Sequence, residues 1–194
     1  ADLAAVCVRR QEQALALAQK YEFARAYTDL ELLLQDESID IYDICVPAQT
    51  HTEIALRLLK TGKTVLCEKP LALYAEDAKQ MLLAADAYRA AGYTCFNYRF
   101  FPAVLLARRM LMEQELGSIR HMRVSYFQQN GADEERCFDT LRYACTQDCG
   151  SLQEIGTHAI DQMRFLAGEL ESVSAITKTF VPYRKDTGGS LHTV

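Results

Sequence analysis

Short runs of apolar and β-branched residues alternate with longer stretches in which apolar positions recur at helical spacing through the first half of the chain. The runs LAAVCV (3–8), IDIYDICV (39–46), KTVLCEK (63–69) and YTCFNY (93–98) predict four strands. Between them, Ala14, Leu15, Leu17 and Ala18 predict a helix over 11–21. Asp29 stands as an acidic N-cap before a second helix at 29–35. A third helix at 52–61 closes on Gly62, and a fourth at 75–91 takes Gly92 as its C-cap. This β-α-β rhythm is that of a parallel sheet, and strands apolar at nearly every position predict helices on both faces.

After Asn97 the rhythm changes. Pro102 opens a helix that ends before Gly117, and Ile119, Met122, Val124 and Tyr126 alternate as in a strand exposed on one side. A polar loop over 128–149 leads to a helix at 151–167 and then to a strand at 173–181. The expected fold class is therefore α/β: a parallel sheet in residues 1–96, followed by an α+β domain with an antiparallel sheet in residues 97–194. The chain opens at Ala1 directly into a strand and stops on a β-branched run. It is expected to be a piece of a longer protein.

Composition narrows the function classes. With 49% hydrophobic and 24% charged residues, the chain belongs with ordinary globular proteins rather than disordered ones. No run approaches the eighteen or so apolar residues of a membrane span. A net charge of −5 gives no electrostatic footprint for nucleic acid or anionic lipid. Seven cysteines, an odd count without paired short spacings, and the lack of a signal-like segment predict a reduced, cytoplasmic protein. Cys7, Cys45, Cys67 and Cys95 fall at matching places in four strands and read as small core residues. Cys145 and Cys149, with His158 downstream, lack further ligands at usual spacing, so no metal site is expected.

Four constellations could carry chemistry. Glu68-Lys69-Pro70 ends the third predicted strand, and ligands of parallel sheets bind outside that edge. Pro70 pushes Lys69 toward extended geometry, and a lysine in such a place can exchange protons near neutrality. The plain alternative is a solvated Glu-Lys pair. Glu154 and His158 stand four apart on the 151–167 helix, with Asp161 one turn beyond, either as an oriented acid/base or as a surface pair. Pro47 through His51 enters a helix at Thr50, a plausible N-cap whose neighbouring N–H groups suit a ribose or phosphate; the alternative is an ordinary β-to-α turn. Val8-Arg9-Arg10 ends the first strand without a carboxylate, the nearest downstream being Glu12. Arginines there suit a 2′-phosphate, or else simply solvate the strand end.

Taken together, VPAQTH (46–51), ALRLLKTGK (55–63), VLCEKPLAL (65–73), NYRFFPA (97–103) and GSLQEIGTHAIDQMRFLAGE (150–169) resemble the Gfo/Idh/MocA family of NAD(P)-dependent oxidoreductases. The resemblance implies a Rossmann-type sheet, here truncated because the Gly-rich strand-loop of the family is absent from the chain, followed by the α+β domain. It places the catalytic residues on Lys69, His158 and Glu154. It places cofactor contacts on Val8, Arg9, Arg10, Pro47, Thr50, His51, Glu68, Lys69, Asn97 and Arg142, and substrate contacts on Lys69, Tyr98, Arg99, Glu154 and His158. Glu154 stands where the family commonly has Asp, and Leu141 where it often has Trp. The activity implied is hydride exchange between a nicotinamide cofactor and a secondary alcohol or ketone of a carbohydrate-like substrate, by a homo-oligomer. The competing class is a non-catalytic dinucleotide sensor of the same fold. Arg9 and Arg10 lead to the expectation that NADP(H) is preferred, with NAD(H) also possible.

Overall fold

The computed structural model describes residues 2–129, 132–137 and 150–193. The chain divides into two compact units, Ala1–Thr94 and Cys95–Val194.

In the first unit, β1 (Ala5–Cys7) pairs in parallel with β2 (Arg25–Tyr27), and β3 (Ile41–Ile44), β4 (Thr64–Cys67) and β5 (Gly92–Thr94) form a parallel three-stranded sheet in that order. Helices α1 (Gln11–Tyr21), α2 (Leu30–Leu34), α3 (His51–Leu59) and α4 (Ala75–Tyr88) connect them. One core holds this unit: Ile44, Val65 and Cys67 from the sheet meet Leu58 and Leu59 of α3 and Met81 of α4, with Ala5, Cys7 and Tyr27 of the β1–β2 pair packed against them. Truncating one of these leucines to Ala would cost about 2–5 kcal/mol, the transfer term plus the cavity left behind.

Strand β2 was not anticipated from the pattern. Its three residues, RAY, are too few and too polar to register between two helices, and the parallel pairing with β1 makes them a strand. Asp29 caps α2 as expected, its carboxylate accepting the N–H of Glu31 at 2.8 Å. The end of α4 differs. Arg89 takes the left-handed C-cap conformation (φ 55°) and donates its N–H to Ala85 and Asp86, which leaves Gly92 to begin β5. The cysteines also divide: Cys67 is buried, Cys7 and Cys95 are half-buried, and Cys45 is exposed. Strand β3 explains the last case, because Ile41 and Asp43 face outward while Tyr42 and Ile44 face the core, so it is not buried on both faces and Cys45 falls on the outer side.

In the second unit, a 3-10 turn at Asn97–Phe100 leads into α5 (Pro102–Met112), with Pro102 in the first turn, and α6 (Thr157–Ala167) follows a π-helical turn at Leu152–Gly156. The hairpin β6 (Tyr183–Lys185) with β7 (Leu191–Thr193) is antiparallel. The segments 119–126 and 173–181, expected as strands, are not in a ladder. Alternation supplies a face but not a partner, and Val173, Ile176 and Phe180 stand almost wholly exposed. Among the described residues no helix is long and apolar enough to cross a membrane.

Candidate active site

The first unit gathers its polar residues where parallel strands give way to loops. The N–H of Glu68 donates to the carbonyl of Ile44 at 3.0 Å, carrying the β3–β4 ladder one step past Cys67. The Glu68 carboxylate then turns back to accept the N–H of Lys69 at 3.0 Å. Lys69 is half-buried, and the Lys69–Pro70 peptide is cis.

Beside it, the loop after β3 forms a 3-10 turn at Ala48–Thr50. The hydroxyl and the N–H of Thr50 both donate to the carbonyl of Pro47, at 2.8 and 2.9 Å. Thr50 therefore closes the turn with its proton instead of capping α3, and its oxygen keeps acceptor capacity toward solvent. His51 departs furthest from expectation. Its ring is only 1% exposed, with Nδ1 2.9 Å from the carbonyl of Pro70 and Nε2 2.9 Å from that of Val46. With both ring nitrogens 2.9 Å from backbone carbonyls, the imidazole is turned into the fold, away from the surface expected for a cofactor contact.

At the end of β1, the N–H of Val8 donates to Tyr27 at 3.1 Å, and Arg9 and Arg10 follow, both exposed. Arg10 stands at the N-cap of α1, where its carbonyl accepts the N–H of Ala14. A carboxylate does lie near this strand, though not the one the sequence offered. Burial first, and then the charge of Asp29 from the loop after β2, push the Cys7 thiol above its ordinary range. Linear distance hid it, since Glu12 is nearer in sequence but Asp29 is brought in by the β1–β2 pairing.

The second unit contributes an aromatic cluster. His158, buried in the first turn of α6, lies face to face with the ring of Tyr98, centroids 4.2 Å apart at 19°, and edge-on to Phe96. Tyr98 also stacks on Phe101, and its hydroxyl meets that of Tyr126 at 2.8 Å. That hydrogen bond, and secondarily burial, raise the Tyr98 phenol above its usual range. Tyr126, read from the sequence as one position of a half-exposed strand, joins this cluster through its pairing with Tyr98.

Arg99 turns its Nε and Nη2 toward Asp161, at 2.8 and 2.5 Å, and its guanidinium lies over Phe165. Asp161 is 4% exposed, and the pair holds Arg99 in its charged form still more firmly. This edge of Arg99 fastens the 3-10 turn to α6, one turn past His158, and is not offered to a substrate. Asn97 is exposed at the start of the same turn.

Glu154 is half-buried within the π turn, where the N–H of Thr157 reaches back to Leu152 as well as to Ile155. The wider turn changes the register expected for a uniform helix, so Glu154 and His158 straddle a π-to-α junction. At Gly156 a Cβ would meet Leu152 Cδ1 at 2.8 Å, so any side chain there would have to displace the exposed Leu152 side chain. Arg142, Leu141, Cys145 and Cys149 lie outside the described residues.

Comparison with known proteins places these groups in context. Residues 1–93 match the model of an oxidoreductase family with an NAD-binding Rossmann fold, and residues 104–192 match the GFO/IDH/MocA C-terminal domain. The chain is 34% identical over 180 residues to levoglucosan dehydrogenase of Pseudarthrobacter phenanthrenivorans, covering 92% of this chain and 46% of that one. It is 30% identical over 192 residues to D-glucoside 3-dehydrogenase of Escherichia coli, covering 96% and 53%. A solved structure of levoglucosan dehydrogenase in complex with NADH and levoglucosan superposes with a TM-score of 0.88 at 32% identity, over 97% of this chain and 51% of that chain. The chain thus spans about half the length of the curated relatives it matches.

Proposed function

The chain belongs to the Gfo/Idh/MocA oxidoreductase family, and from that premise we propose that the protein exchanges a hydride between a nicotinamide dinucleotide and a secondary alcohol, or the matching ketone, of a sugar or polyol. The observation that carries the reading is the imidazole of His158, 7% exposed and clamped between Tyr98 and Phe96, on the helix that follows the 150–156 motif. An imidazole held in that way can bind one hydroxyl in one orientation.

The groups at the strand ends fit a dinucleotide. Arg9, Arg10, Thr50 and Lys69 form a cationic and hydroxylic set, suited to phosphates and ribose hydroxyls. Val8, Pro47 and Glu68 shape the backbone around them. When bound, the cofactor supplies the two-electron oxidation or reduction at carbon. The chain's own work is the proton. Lys69 takes the hydroxyl proton of the alcohol as the carbonyl forms, and gives it back in the reverse direction. In the second unit, His158 is suited to hydrogen-bond a substrate hydroxyl, with Glu154 across the π-to-α junction to orient the imidazole. The stacked rings of Tyr98 and Phe101 offer an apolar face to a sugar ring and exclude water. Cofactor choice follows the strand end: Arg9 and Arg10 favour NADP(H), against the opposing charge of Asp29.

Assembly as a homo-oligomer belongs to the same proposal, with exposed Val173, Ile176 and Phe180 as the apolar surface to be covered. The test is a survey of nicotinamide reduction with pyranoses, anhydrosugars and inositols. Turnover on at least one carbohydrate class is expected. Absence of turnover on all of them, with both cofactors, would refute the reading.

A further inference from the structure

Lys69 is a flexible side chain on a loop, yet a proton relay needs a fixed origin, and misplacement by about 1 Å can cost 10²-fold in rate. The residue that supplies the fixed point is His51. It is the first residue of α3, 1% exposed, and both ring nitrogens point at acceptors belonging to two different strand ends. The carbonyl of Val46 lies just past β3, and the carbonyl of Pro70 lies one peptide beyond Lys69. The ladder itself ends at the bond from Glu68 to Ile44. Beyond that bond, the His51 ring joins the two loops. Both contacts are 2.9 Å; a neutral ring donates one of them and holds the other carbonyl as a close polar contact, while a doubly protonated ring donates both.

We infer that His51 is the positioning residue for Lys69: it ties the Pro70 carbonyl to the Val46 carbonyl and thereby fixes the backbone from which the Lys69 amino group works. The inference rests on the proposed role of Lys69 in proton transfer. Its sequence position, at the end of a β-to-α turn, suggests a ligand contact, whereas its burial assigns it to the support behind the site.

The experiment is a double-mutant cycle on kcat with His51→Leu, Lys69→Met and the pair, with thermal unfolding of each variant recorded alongside. His51→Leu is expected to lower kcat roughly 10- to 100-fold while KM for the cofactor changes less than about 3-fold. In the Lys69→Met background the same substitution should change kcat less than about 2-fold, because the group it positions is gone. His51→Gln, which keeps a side-chain donor, should fold with a near-native Tm and return kcat part of the way. Equal fold losses in both backgrounds, or wild-type kcat in folded His51→Gln and His51→Leu alike, would overturn the inference. Near-normal turnover in Lys69→Met alone would instead refute the role given to Lys69 in the proposed function.

Discussion

The imidazole of His158 and the phenol ring of Tyr98 lie stacked, centroids 4.2 Å apart and planes inclined by 19°. The two come from different elements, α6 and the 3-10 turn after Phe96, and the ion pair of Arg99 with Asp161 fastens those elements together. The orientation of His158 therefore depends on residues that do not touch it.

Tyr126 sets the far side of this stack. Replacing Tyr126 by Phe removes one hydrogen bond, worth about 0.5–1.5 kcal/mol, so kcat/KM for a sugar substrate should fall about 2- to 10-fold. The Tyr98 phenol should return toward its ordinary pKa, since that bond is the first cause of its upward shift. Spectroscopic titration of tyrosinate in the variant checks this, and an unchanged Tyr98 titration would remove Tyr126 from the site.

Arg99→Ala leaves the Asp161 carboxylate, 4% exposed, without its bidentate partner. Breaking a buried pair costs about 3–5 kcal/mol, but the Arg99 side chain is 39% exposed and solvent screens part of that, so a loss of about 1–3 kcal/mol is expected. Arg99→Met with Asp161→Leu should recover most of it. Chemical denaturation of the two variants measures the difference.

Asp36 gives the first unit a dependence on acid. Hydrogen bonds from Ser38 lead the causes that hold its carboxyl below the usual carboxylate range, with Tyr27 and Arg25 adding to them. A carboxyl depressed in the folded state stabilises the fold above its unfolded pKa and loses that contribution as pH falls through the lowered value. Asp36→Asn should therefore lower Tm at pH 7, and the gap to wild type should close as pH falls below the ordinary carboxylate range. A gap that stays constant with pH would contradict the assignment.

In the proposed function, cofactor choice turns on two exposed arginines set against one carboxylate. If Arg9 or Arg10 pairs with a 2′-phosphate, the ratio of kcat/KM for NADP(H) over NAD(H) exceeds one, and Arg9→Ala or Arg10→Ala lowers it by about 10-fold or more, as expected for a charge-assisted bond of about 1.5–3 kcal/mol. Asp29→Asn should raise the same ratio. Preference for NAD(H) unaffected by any of the three would show that the strand end does not read the phosphate.

The sequence made legible what depends on period and on local chemistry. Asp29 as a cap, Pro102 at a helix start and Lys69 just past a strand are each decided within a few residues. Strand β2 escaped because its three residues become a strand only by pairing with β1. Tyr126 and Asp29 escaped as site neighbours for the same reason, since both are brought in by contacts distant in sequence. His51 was visible as a residue, but a histidine at a β-to-α turn has the same sequence signature whether its ring faces a ligand or two backbone carbonyls. The π turn at Leu152–Gly156, between Glu154 and the α-helix that carries His158, leaves no mark in a pattern read at helical spacing.

The most direct measurement is turnover in Lys69→Met, compared with wild type on the carbohydrate that the survey identifies, together with cofactor affinity for both. Methionine keeps the length of the side chain and removes the proton relay, so kcat should fall about 10²-fold or more while cofactor affinity changes much less. A Lys69→Met protein that turns over at near the wild-type rate would contradict the account.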